Sequence, residues 1–114
     1  MRLDKPNKYR NLKTVRDGII FDSRKEADRY TELLLLQRAG VIASLRWQIR
    51  FELVPEFGDE RAAFYIADFV YIDPESGKTI VEDVKSVATK KDKAYILKRK
   101  MFKYRYRDVE FRET

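Results

Sequence analysis

AFYIADFVYIDPESGKTIVEDVK, residues 63–85, decides the fold. Two runs rich in β-branched and aromatic residues flank Asp73-Pro74-Glu75-Ser76-Gly77, a cluster with turn chemistry. The segment is expected to form a hairpin, with strands over 63–71 and 79–85. Both strands carry charge among apolar neighbours: Asp68 in the first, and Glu82, Asp83 and Lys85 in the second. Asp and Lys are poor strand formers, and burying either without a partner is costly. Charges planted in such strands ask for a reason.

Upstream, residues 45–53 alternate strictly. Leu45, Trp47, Ile49, Phe51 and Leu53 are expected on one face, and Arg46, Gln48, Arg50 and Glu52 on the other. Before this strand, Ser23 is a good helix N-cap and Glu26 follows three residues later, as in a capping box. Glu26, Tyr30, Leu33 and Gln37 share one helical face, with Leu35 opposite, and Gly40 suits the C′ position. Asp17-Gly18 reads as a turn, and residues 1–16 as a polar, basic arm ahead of a single domain over 17–114. Downstream, 86–92 reads as a polar connection and Lys93 to about Tyr106 as a helix with two apolar stripes. Leu97, Met101 and Tyr104 form one stripe; Tyr95, Phe102 and Tyr106 form the other. Residues 108–112 alternate as a short strand. The order helix, three strands, helix, strand predicts an α/β fold with a mixed central sheet flanked by helices.

The chain contains no histidine and no cysteine. Serine–histidine triads, thiolate chemistry and most zinc sites are thereby excluded, and any chemistry falls to carboxylates, lysine and tyrosine. Oxygen ligands favour hard cations such as magnesium or manganese. No run approaches the roughly 18 apolar residues of a membrane span, and the N-terminus lacks the apolar core of a secretory signal. A cytoplasmic protein with no membrane partner is expected. The net charge is +6, unevenly spread. Residues 1–16 carry a net +5 and 85–107 a net +9, while 17–84 carry −6. Basic flanks suggest a polyanion partner. An acidic centre inside a basic frame suits a metal site better than a pure binder.

Side chains alternate along a strand, so Asp83 and Lys85 point to one face, roughly 6–7 Å apart. If the hairpin pairs its strands, one register sets Asp68 beside Asp83. Two such carboxylates repel unless a cation lies between them, and magnesium would resolve the conflict. Lys85 could then hold a water or stabilise charge on a phosphate. The plainer alternative is an Asp83–Lys85 surface ion pair, worth little. Glu82 points to the opposite face, although a bulge could exchange it with Asp83.

An aspartate in one strand followed by acid-x-lysine in the next resembles the PD-(D/E)XK nuclease superfamily, and the element order is similar to its common core. The segments KYRNLKTVRDGIIFDSRKEADRY, YIADFVY and VEDVKS are also similar to a phage- and prophage-encoded family of small predicted endonucleases, related in pattern to Holliday-junction resolvases. The sequence departs from the pattern in lacking a proline before Asp68 and in using Asp83 where glutamate is commoner. The resemblance implies a restriction-endonuclease-like core and a magnesium-dependent DNA endonuclease, with manganese able to substitute. Its catalytic residues would be Asp68, Asp83, Lys85 and Glu26, and its metal ligands Asp68, Asp83 and Glu26. Glu26 would join from the first helix, in competition with its capping role. DNA, duplex or branched, would meet Arg10, Lys13, Arg16, Lys90, Lys91, Lys93, Lys98 and Arg99, with Lys98 as an auxiliary near the metal. Gln48 could touch the phosphate or simply face solvent. A homodimer is expected by analogy, in the cytoplasm of a bacterial host if the gene is a phage's. The alternatives are a non-catalytic nucleic-acid binder that keeps the fold, and a small structural phage protein that binds another protein.

Overall fold

The computed structural model describes residues 12–114. Arg10 lies outside them. The chain runs β1 (Thr14–Arg16), β2 (Ile19–Phe21), α1 (Arg24–Arg38), β3 (Ala43–Val54), β4 (Ala63–Ile72), β5 (Thr79–Asp83), α2 (Val87–Lys90), α3 (Lys93–Arg105) and β6 (Glu110–Glu113). The expected α/β class holds, with a central sheet ordered β3-β4-β5-β6. Its first three strands are antiparallel and β6 lies parallel to β5. No helix among the described residues is long and apolar enough to cross a membrane.

Two elements depart from the sequence reading. The last residues of the expected arm form β1, which pairs with β2 through a two-residue turn. Asp17 and Gly18 both take positive φ, 52° and 76°, the requirement of a type I′ hairpin. The expected polar connection after β5 contains α2, a single turn capped by Ser86, whose Oγ accepts from the Thr89 N–H. Neither has the apolar periodicity that announces longer elements.

Helix α1 begins and ends as its sequence prescribes. Ser23 Oγ accepts from the Glu26 N–H at 3.1 Å. At the other end Gly40 adopts φ 77°, the Gly40 N–H reaches the Gln37 carbonyl, and the Val41 N–H reaches that of Leu36. This pair of bonds is the Schellman arrangement. Leu33 and Tyr30 are buried, and Leu35 is exposed.

The two sheet faces carry separate cores. Phe21, Tyr30, Leu33, Phe69, Tyr71 and Ile80 pack on the α1 side, while Tyr65, Ala67, Val70, Val81, Tyr95 and Phe102 pack on the α3 side. The expectation that Leu45, Trp47, Ile49, Phe51 and Leu53 share one face is corrected. Leu45 and Trp47 join the α1 core, but Ile49, Phe51 and Leu53 join the α3 core. Between them Gln48 takes φ 54°, a left-handed conformation inside a strand. Such a residue rotates the chain about its axis and reverses which side chains follow. β4 reverses likewise between Ala67 and Phe69, the partners of Ile49 and Trp47, so the changeover crosses the sheet at Asp68.

The two apolar stripes of α3 are unequally buried, and Met101 of the first joins Tyr95, Phe102 and Tyr106 of the second against the sheet. Tyr95 and Phe102 are buried, while Leu97 (59%) and Tyr104 (73%) remain exposed. Phe102 sits against Phe51, Tyr65, Tyr106 and Phe111. Phe102→Ala is expected to cost about 3–5 kcal/mol in urea-unfolding free energy. Tyr104→Ala should stay within about 0.5 kcal/mol of the parent. Equal losses would contradict this packing.

Candidate functional site

The β4–β5 ladder runs from Ile72 opposite Thr79 to Phe69 opposite Glu82, and stops one step before Asp68 would face Asp83. Beyond that point the two carboxylates take over the pairing. The Asp68 N–H donates to Asp83 Oδ1 at 3.2 Å, and the Val84 N–H donates to Asp68 Oδ2 at 2.7 Å. Lys85 Nζ stands 3.6 Å from Asp68 Oδ2 and 3.6 Å from Asp83 Oδ1. Asp83 is fully buried, and its Oδ2 finds no hydrogen-bond partner among the described residues. Asp68, Asp83 and Lys85 are thus brought together as the hairpin register suggested. The plain surface ion pair does not describe them.

Glu26 approaches the group from α1. The Ser23 cap uses the Glu26 backbone N–H, and the buried Glu26 carboxyl accepts from the Asp22 backbone and lies beside Asp68 and Lys85. The carboxyl's backbone partner is Asp22 rather than Ser23, so the reciprocal bond expected of a capping box is replaced by one a residue earlier.

Glu82 and Asp83 part company cleanly. Arg29 grips Glu82 with Nε at 2.6 Å and Nη2 at 3.0 Å, the Tyr71 hydroxyl donates at 2.5 Å, and Thr114 Oγ1 donates at 3.2 Å. Glu82 is committed to the α1 side. With that side chain anchored, alternation sends Asp83 to the α3 side, toward Lys85 and Tyr95.

The electrostatics match this division. Burial would raise the Glu82 carboxyl, but the bonds from Arg29 and Tyr71 win and hold it below its ordinary value. Burial pushes Asp83 up to about 6, with Lys85 opposing. Burial and then the neighbouring Asp68 and Asp22 push Glu26 up to about 8. Asp68 is raised by burial against the pull of Lys85. Lys85 would be lowered by burial, yet Asp68, Asp83 and Glu26 hold it above the usual lysine value. One cation among three carboxyls leaves surplus negative charge when all are ionised.

Among the described residues, no group of three or more His, Cys, Asp or Glu side chains is arranged to hold a metal ion. A closed protein cage is thereby absent from these residues. Magnesium needs less, since one or two carboxylates and several waters suffice. Asp68 and Asp83 fit that requirement, because Asp83 Oδ2 is a buried acceptor lacking a donor. Glu26 stands by without completing a three-carboxylate set.

The basic residues divide into engaged and exposed. Arg16 spends its guanidinium on Asp28 (2.8 Å) and Thr31 (3.2 Å), and Arg99 lies 3.5 Å from Glu113. Lys13, Lys90, Lys91, Lys93 and Lys98 are exposed. Lys98 borders a notch of about 300 Å³ that also reaches Asp83 and Lys85. Gln48 instead donates to the Ile20 carbonyl at 2.6 Å. Sequence reasoning missed the Arg29–Glu82–Tyr71 network and the Tyr95–Glu113 bond beside Lys85. Their partners are 53, 11 and 18 residues apart, a separation no local pattern encodes.

Two outcomes test this geometry. Arg29→Met strands a buried charge and is expected to cost about 3–5 kcal/mol in chemical unfolding. A small loss would show that Glu82 is not so pinned. The second concerns pH. Glu26 and Asp83 titrate higher in the fold than in the unfolded chain, so the fold binds more protons between pH 4.5 and about 8 for Glu26, and between 3.8 and about 6 for Asp83. Stability therefore falls as pH rises through these ranges. In metal-free buffer the melting temperature should drop from pH 5 to pH 8, and Asp83→Asn should flatten the lower part of that drop. A rising profile would refute the assignment.

Searches of curated proteins and of solved structures find no match to the chain. One protein family matches over residues 6–113, which includes every strand and helix described above. The chain belongs to that family, DUF1064, whose description reads "Protein of unknown function".

Proposed function

We propose that the protein is a magnesium-dependent endonuclease that hydrolyses DNA phosphodiesters, on a core of the PD-(D/E)XK kind. One observation carries this reading. At the fork of two strands, Asp68 and Asp83 face each other with a lysine 3.6 Å from both and a buried carboxylate oxygen left without a donor. A purely structural ion pair would satisfy that oxygen, because an unpaired buried acceptor is expensive. A bound magnesium ion would polarise a phosphate and make a water nucleophilic near neutral pH.

The chain's own groups supply the rest. Asp68 and Asp83 have one oxygen each fixed by a backbone N–H, so neither carboxylate can swing away. Lys85, held protonated by its neighbours, is placed to orient a water or to stabilise negative charge growing on the phosphate. Glu26, easily protonated near neutrality, can accept or return a proton beside Asp68. The exposed lysines of α2 and α3 supply phosphate contacts along the approach. Manganese is expected to replace magnesium, since both take oxygen ligands. A homodimer would give one site per strand of a duplex.

Purified protein incubated with labelled duplex, four-way junction and single strand should cut at least one of them in magnesium and none in EDTA. Asp83→Ala and Lys85→Ala should each slow cutting by about 100-fold or more. Manganese should also raise the melting temperature of the parent and leave that of Asp83→Asn unmoved. Absence of cutting on every substrate, or full activity in both alanine variants, would defeat the enzyme reading. Metal-independent binding without cutting would instead favour the non-catalytic binder.

A further inference from the structure

β5 ends at Asp83, but β4 continues on to Ala63 at its other end. Residues 63–67 of β4 therefore keep β3 on one side and have no β5 neighbour on the other. The Asp68 N–H points to the β5 side, where it meets Asp83. Phe64 and Ile66 border the space β5 has left. That space is the notch of about 300 Å³ closed on its far side by α2 and α3. Its two ends differ. Asp83 and Lys85 form a charged end, and Phe64, Ile66 and Ala94 form an apolar wall beside it. Ile66 is 57% exposed, unusual for isoleucine inside a strand.

An apolar slot opening onto Lys85 and Asp83, with Asp92 also in its lining, suits a ligand with a flat apolar part and an anionic part that meets the lysine. Lys98 at the rim adds a second cation for the anion. The volume is at the small end of ligand pockets. A base still paired in a duplex brings its partner strand with it, and a notch of this size has no room for both. We propose that the notch takes a single unstacked nucleotide of the substrate, its base against Phe64, Ile66 and Ala94 and its phosphate between Lys85 and Lys98. Such a site selects DNA that is already unpaired beside the cut, because paired DNA must first spend the unstacking energy. The inference rests on the nuclease reading only for which bond is cut; the binding preference stands on the notch itself.

The test measures binding without cutting. Anisotropy titrations in EDTA, repeated in calcium, would compare a labelled duplex with the same duplex carrying a short central bubble. The parent should prefer the bubble by about tenfold or more. Ala94→Trp fills the notch from an exposed helix position, and Ile66→Glu places a like charge against the phosphate. Both residues are exposed, so both variants should melt like the parent, and in both the preference should fall to near one. Equal affinity of the parent for the two DNAs, an undiminished preference in Ala94→Trp, or no binding of either DNA would overturn the inference. A bubble preference without cutting in magnesium would keep the notch and sink the nuclease. Cutting in magnesium with equal affinities would do the reverse.

Discussion

The fork between β4 and β5 depends on Glu82 being held where it is. A carboxylate with no exposed surface survives in a sheet only because Arg29 meets it with two nitrogens and Tyr71 and Thr114 add their hydroxyls. These partners come from α1, β4 and the end of the chain, so one side chain ties the sheet to the helix above it. The tie also fixes the rotation of β5 about its own axis. A strand whose residue 82 cannot turn must present residue 83 to the other face, and the site follows from that.

The second constraint is the changeover at Gln48 and Asp68. A left-handed non-glycine residue costs of order 1–2 kcal/mol, and strain of that kind gathers where a site demands it. Here it lets one strand serve two cores, with Trp47 on the α1 side and Ile49 on the α3 side. Asp68 sits opposite the pivot, where regular pairing fails and a carboxylate can replace a backbone carbonyl as acceptor.

Much of this was legible in the sequence, and the parts that were not share a physical cause. The hairpin over 63–85 was readable because turn residues and β-branched runs are local signals, and so was α1, whose Ser23 cap and Gly40 stop both appear in place. The juxtaposition of Asp68, Asp83 and Lys85 followed from a period of two and a single register. The strict alternation of 45–53, however, suggested one face where the structure uses two. Alternation assumes regular dihedrals, and nothing in the identity of Gln48 announces a positive φ. The choice between Glu82 and Asp83 was open in sequence because both are acids in adjacent positions. Only Arg29, far away in the chain, separates them.

β3 is an outer strand of the sheet and runs for twelve residues, from Ala43 to Val54. Long, flat borders of this kind invite another chain to zip on, and the outcome is fibrillar association. Ser44 and Gln48, with φ of 55° and 54°, break the border into pieces too crooked to template a neighbour. Arg46 and Arg50, both exposed, add charge repulsion between like borders. The same distortion that sits opposite Asp68 therefore makes the outer border a poor template for edge-to-edge pairing.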